Sequence, residues 1–196
     1  MVCLAMTREM ESNSLLIDSM WPFYRAWCAR VFNYPDLRPC PVHVVSRAQM
    51  GRENAAGLFS YNLVQKPCKR EILICDENLQ STKYLLMVLT HEVMHYVHSC
   101  LVRQDDYLSC PKVFKEGFAE HATRLFFRHA GYEITPRDFK AFYDYYYQFG
   151  RCMVEVICQE GYGIRGFVLT FLSHLPHTHT WARMDINFLQ RLALLR

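Results

Sequence analysis

The order of hydrophobic and polar residues predicts a helix and three short strands in the first part of the chain. Residues 15–32 carry apolar side chains three or four positions apart, which is typical of a helix. Three apolar runs follow, and each has the length of a strand: 42–45, 57–61 and 71–75. Lys66 and Pro67 fit a turn between the last two runs, so we expect these strands to form a hairpin.

The remainder of the chain has the pattern of helices. Ser81 or Thr82 can cap a helix that runs through an apolar stretch to about residue 99. A second helix is expected from Pro111 or Lys112 to about residue 129. Further helical segments are expected over 136–149, 154–159, 165–175 and 185–195. The pattern therefore predicts an α+β chain with a single domain over 1–196, in which 1–80 form a helix and sheet part and 81–196 a helical part.

Composition is that of a folded protein in a reducing compartment. Of the 196 residues, 51% are hydrophobic and 21% are charged, which excludes a disordered chain. A net charge of +3 gives no support for nucleic-acid binding, and no apolar run reaches membrane-spanning length. The nine cysteines form no Cys-x-x-Cys pair, so we expect reduced thiols. Residues 1–14 lack a secretory pattern, so we expect a cytoplasmic protein, of the producing cell or of a host cell.

The strongest chemical signal is the sequence His-Glu-Val-Met-His at positions 91–95. On a helix, residues four apart share a face, so His91 and His95 can bind one metal ion together. Glu92 is then placed to accept a proton from a water molecule on that metal. A third ligand would leave one position open for water, as in catalytic rather than structural zinc sites. Glu116 is the natural candidate, and the pattern predicts a zinc-dependent peptidase.

Two other residues on the helix of Glu116 belong to the same interpretation. His121 competes as third ligand, but it lies about 140° around the helix from Glu116, so only one of the two can easily face the metal. Glu120 follows Glu116 by one turn and can orient a ligand histidine without itself binding the metal. His98, one turn after His95, is expected to make a helix-surface or capping contact instead of binding metal.

The motif at 91–95, followed by Glu-Gly-Phe-Ala-Glu at 116–120, resembles the gluzincin clan of thermolysin-like and aminopeptidase-like zinc peptidases. The resemblance covers roughly residues 55–175 and is strong only in the two motifs. It implies that His91, His95 and Glu116 bind one Zn²⁺, that Glu92 is the general base and that Glu120 supports His91. A metzincin would instead have glycine at 98 and histidine at 101, where this chain has His98 and Leu101.

The resemblance also implies a fold and a further catalytic group. The fold would be a small single-domain zincin: a short N-terminal mixed sheet over the active-site helix, then a helical C-terminal half. Related peptidases stabilise the oxyanion of the reaction with a tyrosine or histidine that follows the glutamate helix. Tyr147 matches that pattern best, and Tyr146, His177 and His179 are the alternatives.

The expected function is hydrolysis of a protein or peptide substrate. Residues 51–54 read Gly-Arg-Glu-Asn and lack the middle of the amine-binding motif of aminopeptidases, which favours internal cleavage. The edge of the sheet can pair with an extended substrate. The alternative is a non-catalytic zinc-binding module that uses the same fold to bind a partner. An intact Glu92 argues against that alternative, because a structural site has no use for a base beside the metal.

Overall fold

A computed structural model of this chain combines helices with one small sheet, which agrees with the α+β class. It describes residues 2–52, 55–62, 69–132, 134, 151–152, 154–155, 158–159 and 163–168. The predicted helices at 136–149 and 185–195 lie outside these residues, and those at 154–159 and 165–175 lie only partly within them. Tyr146, Tyr147, His177 and His179 are also outside the described residues.

Most of the predicted elements in the described residues are confirmed. In chain order the elements are α1 (Val2–Phe32), β1 (Val42–Val45), α2 (Arg47–Met50), β2 (Gly57–Asn62), β3 (Lys69–Cys75), a 3₁₀ helix (Asp76–Gln80), α3 (Thr82–Leu101), α4 (Gln104–Ser109), α5 (Lys112–His129) and α6 (Gly163–Phe167). The start of α1 was predicted wrongly, at residue 15. Residues 2–14 are rich in good helix formers such as leucine, methionine and glutamate, so the helix extends without a regular apolar stripe.

Helix α4 was not predicted, because its six residues carry no apolar periodicity. Its first turn contains Asp105 and Asp106, and acidic side chains stabilise the N-terminal end of a helix. Arg103 precedes the helix and donates from Nε and Nη2 to the Asp106 carboxylate, at 2.8 and 3.2 Å. Local charge therefore forms this helix where hydrophobic pattern could not predict it.

The sheet has the strand order β1-β3-β2, with β1 parallel and β2 antiparallel to β3. The predicted antiparallel pairing of β2 with β3 is confirmed, whereas the predicted turn at Lys66 and Pro67 lies outside the described residues. In the sheet that the described residues form, β2 is an edge strand. Cys75 N donates to Ala56 O at 3.0 Å, which fixes the hydrogen-bonding register. Because antiparallel pairs alternate, the backbone groups of Gly57, Phe59 and Tyr61 face away from β3.

The chain divides into two compact units, residues 1–93 and 94–196, and the boundary falls within α3. The core of the first unit includes Trp27 of α1 and Ile72 and Ile74 of β3. The core of the second includes Phe118 and Phe126 of α5. Apolar burial of this kind is the main stabilising contribution in each unit.

One buried hydrogen bond joins α1 to the segment just before the His-Glu-x-x-His motif. Tyr24 Oη and Thr90 Oγ1 are 2.9 Å apart, and both side chains are fully buried. Burial raises the pKa of the Tyr24 hydroxyl, so it stays protonated and can donate. The bond satisfies two polar groups that would otherwise destabilise the core.

Two predictions from composition can be compared with the described residues. The cysteines described there, namely Cys28, Cys40, Cys75, Cys100, Cys110, Cys152 and Cys158, form no disulfide, as expected of reduced thiols. Within the same part of the chain, no helix has the length and apolar character needed to cross a membrane.

Candidate metal centre

The two motif histidines lie on the most deeply buried helix of the described chain. Residues 87–99 of α3 are all buried, so this part of the helix is covered around its whole circumference. His91, Glu92 and His95 are exposed by only 1%, 6% and 7%. Ionisable side chains are seldom buried to this degree unless they are paired or bind a metal.

One ligand atom from each of His91, His95 and Glu116 lies within 4.8 Å of the other two. The closest pair is His95 Nε2 and Glu116 Oε2, which are 3.1 Å apart. Two ligands of a tetrahedral zinc, each about 2.0–2.1 Å from the ion, are separated by roughly 3.3 Å. The group therefore has the spacing of a metal site that needs only small movements to close around an ion.

The donor set fits zinc. Two imidazoles and one carboxylate are the ligands that catalytic zinc takes in proteins, and three ligands leave a fourth position for water. The side chains of His95 and Glu116 are exposed by 9% and 13%, so the group has some contact with solvent. The group includes Glu116 and does not include His121 or Glu120.

Glu92 is held against the edge strand of the sheet. The backbone N–H of Phe59 donates to Glu92 Oε2 at 2.7 Å, and this contact is buried. A Cβ atom added to Gly57 would lie 2.7 Å from Glu92 Cγ and 3.0 Å from Glu92 Oε1. This contact was not predicted, since a backbone amide and a glycine have no recognisable pattern in the sequence.

Glu120 is buried, and it has a partner that was not predicted from the sequence. Arg124 donates from Nε to Glu120 Oε1 at 2.8 Å, and Glu120 is exposed by only 3%. The four-residue spacing of the two side chains could have indicated this pair. Glu120 Oε2 and His91 Nδ1 are fully buried without being hydrogen-bonded to each other, so the contact of Glu120 with a motif histidine stays a prediction.

His121 lies in a different environment from Glu116. It is half-buried, and burial lowers its pKa to about 4, with Glu155 opposing that shift and the positive charges of Arg151, Arg128 and Arg124 adding to it. A neutral imidazole is a competent metal ligand, but His121 is not part of the three-residue group.

The expectation for His98 was wrong. His98 is fully buried instead of lying on a helix surface, and its ring packs against Tyr107 and Phe118 with centroids 4.9 and 5.2 Å away. Burial lowers its pKa well below the usual range of histidine, so the ring is neutral. Neither ring nitrogen has a hydrogen-bond partner among the described residues. His98 is a core aromatic ring because α3 buries every face at this level.

Comparisons with protein-family models, curated proteins and solved structures give no match to this chain.

Proposed function

We propose that this protein is a zinc-dependent peptidase of the gluzincin type with a small zincin fold. The observation that carries the proposal is the group formed by His91, His95 and Glu116. A carboxylic acid follows the first histidine directly, and it lies in a buried contact beside the edge of the sheet. Three ligands together with an adjacent base are the minimum that metal-assisted hydrolysis needs.

In this proposal, each residue has a defined task. His91, His95 and Glu116 would hold the zinc ion, and zinc when bound supplies Lewis-acid activation of a water molecule and of the substrate carbonyl. Glu92 takes a proton from the water as its oxygen attacks the carbonyl carbon. When the C–N bond breaks, Glu92 returns the proton to the leaving amine. Tyr147 would donate a hydrogen bond to the developing oxyanion.

The edge strand supports a polypeptide substrate. The backbone groups of Gly57 and Tyr61 and the carbonyl of Phe59 face away from β3 at this edge, while the Phe59 N–H donates to Glu92. An extended peptide can add to such an edge through backbone hydrogen bonds, which recognise any sequence. Because residues 51–54 lack the middle of the amine-binding motif of aminopeptidases, we propose internal cleavage in preference to aminopeptidase activity.

The experiment that tests the proposal is a cleavage profile. The purified protein, loaded with zinc, is incubated with a proteome-derived peptide library, and new termini are identified by mass spectrometry. We expect internal cleavage that is lost on treatment with a chelator and restored by zinc. A zinc-loaded protein that cleaves nothing would contradict the proposal and would favour a non-catalytic zinc-binding module.

A further inference from the structure

Strand β2 approaches Glu92 so closely that only glycine fits at position 57. A Cβ atom at Gly57 would lie 2.7 Å from Glu92 Cγ and 2.8 Å from Val88 Cγ1. Real Cβ atoms essentially never make contacts this short, so an alanine would force Glu92, Val88 or the strand to move. Gly57 is not among the glycines with a positive φ, so backbone conformation gives no other reason for glycine here.

The same strand contacts the other oxygen of the carboxylate. Phe59 N donates to Glu92 Oε2 at 2.7 Å, while Glu92 Oε1 is the oxygen that lies nearest to Gly57. The hydrogen bond from Phe59 therefore holds Oε2, and the space left by the missing side chain of Gly57 accommodates Cγ and Oε1 of the same residue. An amide hydrogen bond to a charged carboxylate is about twice as strong as one between neutral groups.

The geometry of strand and helix explains how one strand can make both contacts. Gly57 and Phe59 are two residues apart, so their backbone groups face the same edge about 6.8 Å from each other. Val88 and Glu92 are one turn apart on α3, about 6 Å along the axis. The strand repeat and the helix turn are similar in length, and Gly57 lies beside both Val88 and Glu92 while Phe59 contacts Glu92.

We propose that Gly57 and the backbone amide of Phe59 are positioning groups for Glu92. This inference rests on the proposed function, in which Glu92 is the general base. Glutamate has three rotatable side-chain bonds, and a base acts only when its oxygen is within hydrogen-bonding reach of the proton that it abstracts. Displacing a catalytic group by about 1 Å can lower the rate by roughly 10²-fold. β2 removes this freedom before substrate arrives.

The first test needs no catalytic activity. In the zinc-loaded protein labelled with ¹⁵N-phenylalanine, hydrogen exchange of the Phe59 amide is measured by NMR. We expect this amide to be protected, and to exchange about tenfold faster or more in Glu92→Ala, which has no acceptor. Glu92→Gln should keep the protection, because its amide oxygen can still accept the bond. Exchange that is equally slow in Glu92→Ala and the wild type would overturn the proposal.

The second test removes the amide itself. Proline at 59 has no N–H, and an edge strand tolerates proline where the N–H faces away from the sheet. Phe59→Ala keeps the amide and is the matched reference, since both variants lose the phenyl ring. We expect kcat of Phe59→Pro to be about 10–100-fold below that of Phe59→Ala, with the same KM and zinc content. Equal kcat values in the two variants would overturn the proposal.

The third test fills the space at Gly57. Gly57→Ala should lower kcat by about 10–100-fold with little change in KM. The control is Gly51→Ala. Gly51 has a φ of +66° and no atom within 4 Å of where a Cβ would lie, so this substitution should lower stability through backbone strain and leave Glu92 in place. Gly57→Ala with wild-type kcat would overturn the role of Gly57. Should the wild-type protein prove inactive, the proposed function fails, and the exchange measurement still decides whether β2 holds Glu92.

Discussion

Among single residues, the third ligand separates the gluzincin interpretation from its rivals. Glu116 Oε2 is 3.1 Å from His95 Nε2, whereas His121 is outside the group. We expect Glu116→Ala to lower zinc affinity by more than the roughly 10–100-fold typical of an outer-shell change. His121→Ala should leave the affinity nearly intact. Titration against a competing chelator measures both, and the reverse ranking would assign His121 as the ligand and contradict the proposed gluzincin type.

Glu120 should have a smaller effect on the metal than Glu116. Its carboxylate is buried and held by Arg124, so its position is fixed one helical turn beyond Glu116. If it supports a ligand histidine, Glu120→Gln should show an intermediate loss of zinc affinity, since an amide oxygen can still accept a hydrogen bond. Glu120→Ala should lower zinc affinity more than Glu120→Gln does, but less than Glu116→Ala does.

The control for that series is Arg124→Gln, which removes the ion pair but keeps the Glu120 carboxylate. A crystal structure of the zinc-loaded protein is the direct check of the contact itself. An Oε2 atom of Glu120 that contacts neither His91 nor His95 in that structure would show that the assignment is wrong.

The buried histidines predict a loss of stability in mild acid. Burial lowers the pKa of His121 to about 4. Burial is also the main cause that lowers the pKa of His98 well below the usual range of histidine. Because the pKa is lower in the folded state, the unfolded chain binds more protons than the folded chain in this pH range. The contribution of the neutral histidines to the free energy of unfolding is therefore complete above pH 6.5 and is lost as the pH falls toward 4.

For His121 the loss is on the order of 2–3 kcal/mol. Urea unfolding at pH 7 and pH 5, followed by circular dichroism, measures it. In His121→Gln the unfolding free energy should depend less on pH than in the wild type. An equal pH dependence in the two proteins would contradict the account. The charged groups that face His121 are Glu155, Arg151, Arg128 and Arg124.

Among elements, the contact of α1 with α3 is a buried polar link in a mostly apolar core. Tyr24→Phe removes one partner of the 2.9 Å bond and leaves the Thr90 hydroxyl buried. We expect this variant to lose about 1–2 kcal/mol in unfolding free energy. The double variant Tyr24→Phe with Thr90→Val should recover most of the loss, because neither polar group then remains. A single variant as stable as the wild type would show that the link contributes nothing.

How well each element was predicted from the sequence depends on whether it has a clear apolar pattern. Strands β1, β2 and β3 and helices α3 and α5 have strong apolar patterns and clear ends, and they were predicted within a few residues. The first half of α1 and the short α4 are formed by helix propensity and local charge. Apolar pattern contains no information on those two effects.

In the candidate site, too, some residues could be predicted from the sequence and others could not. His91 and His95 were predictable because their spacing on one helix brings both side chains to one face. Glu116 lies on α5 and was predicted because an acidic residue on an apolar helix is expected to be paired or metal-bound, and because its motif resembles that of the gluzincins. The contact of Glu92 with β2 was not, because it depends on a backbone amide and on an absent side chain. His98 was misassigned because burial of a whole helix circumference depends on neighbours far away in sequence.

At the scale of the whole molecule, the proposed function requires that His91, His95 and Glu116 bind zinc and that Glu92 acts as the general base beside it. Glu92→Gln tests it most directly, because glutamine keeps the shape and the hydrogen bond to Phe59 but cannot take a proton. Zinc content by elemental analysis and peptide turnover are measured on the same sample, with the wild type in parallel. We predict one zinc per chain in both proteins and a loss of turnover on the order of 10²–10⁴-fold or more in the variant. A zinc-loaded variant with wild-type turnover would contradict the account.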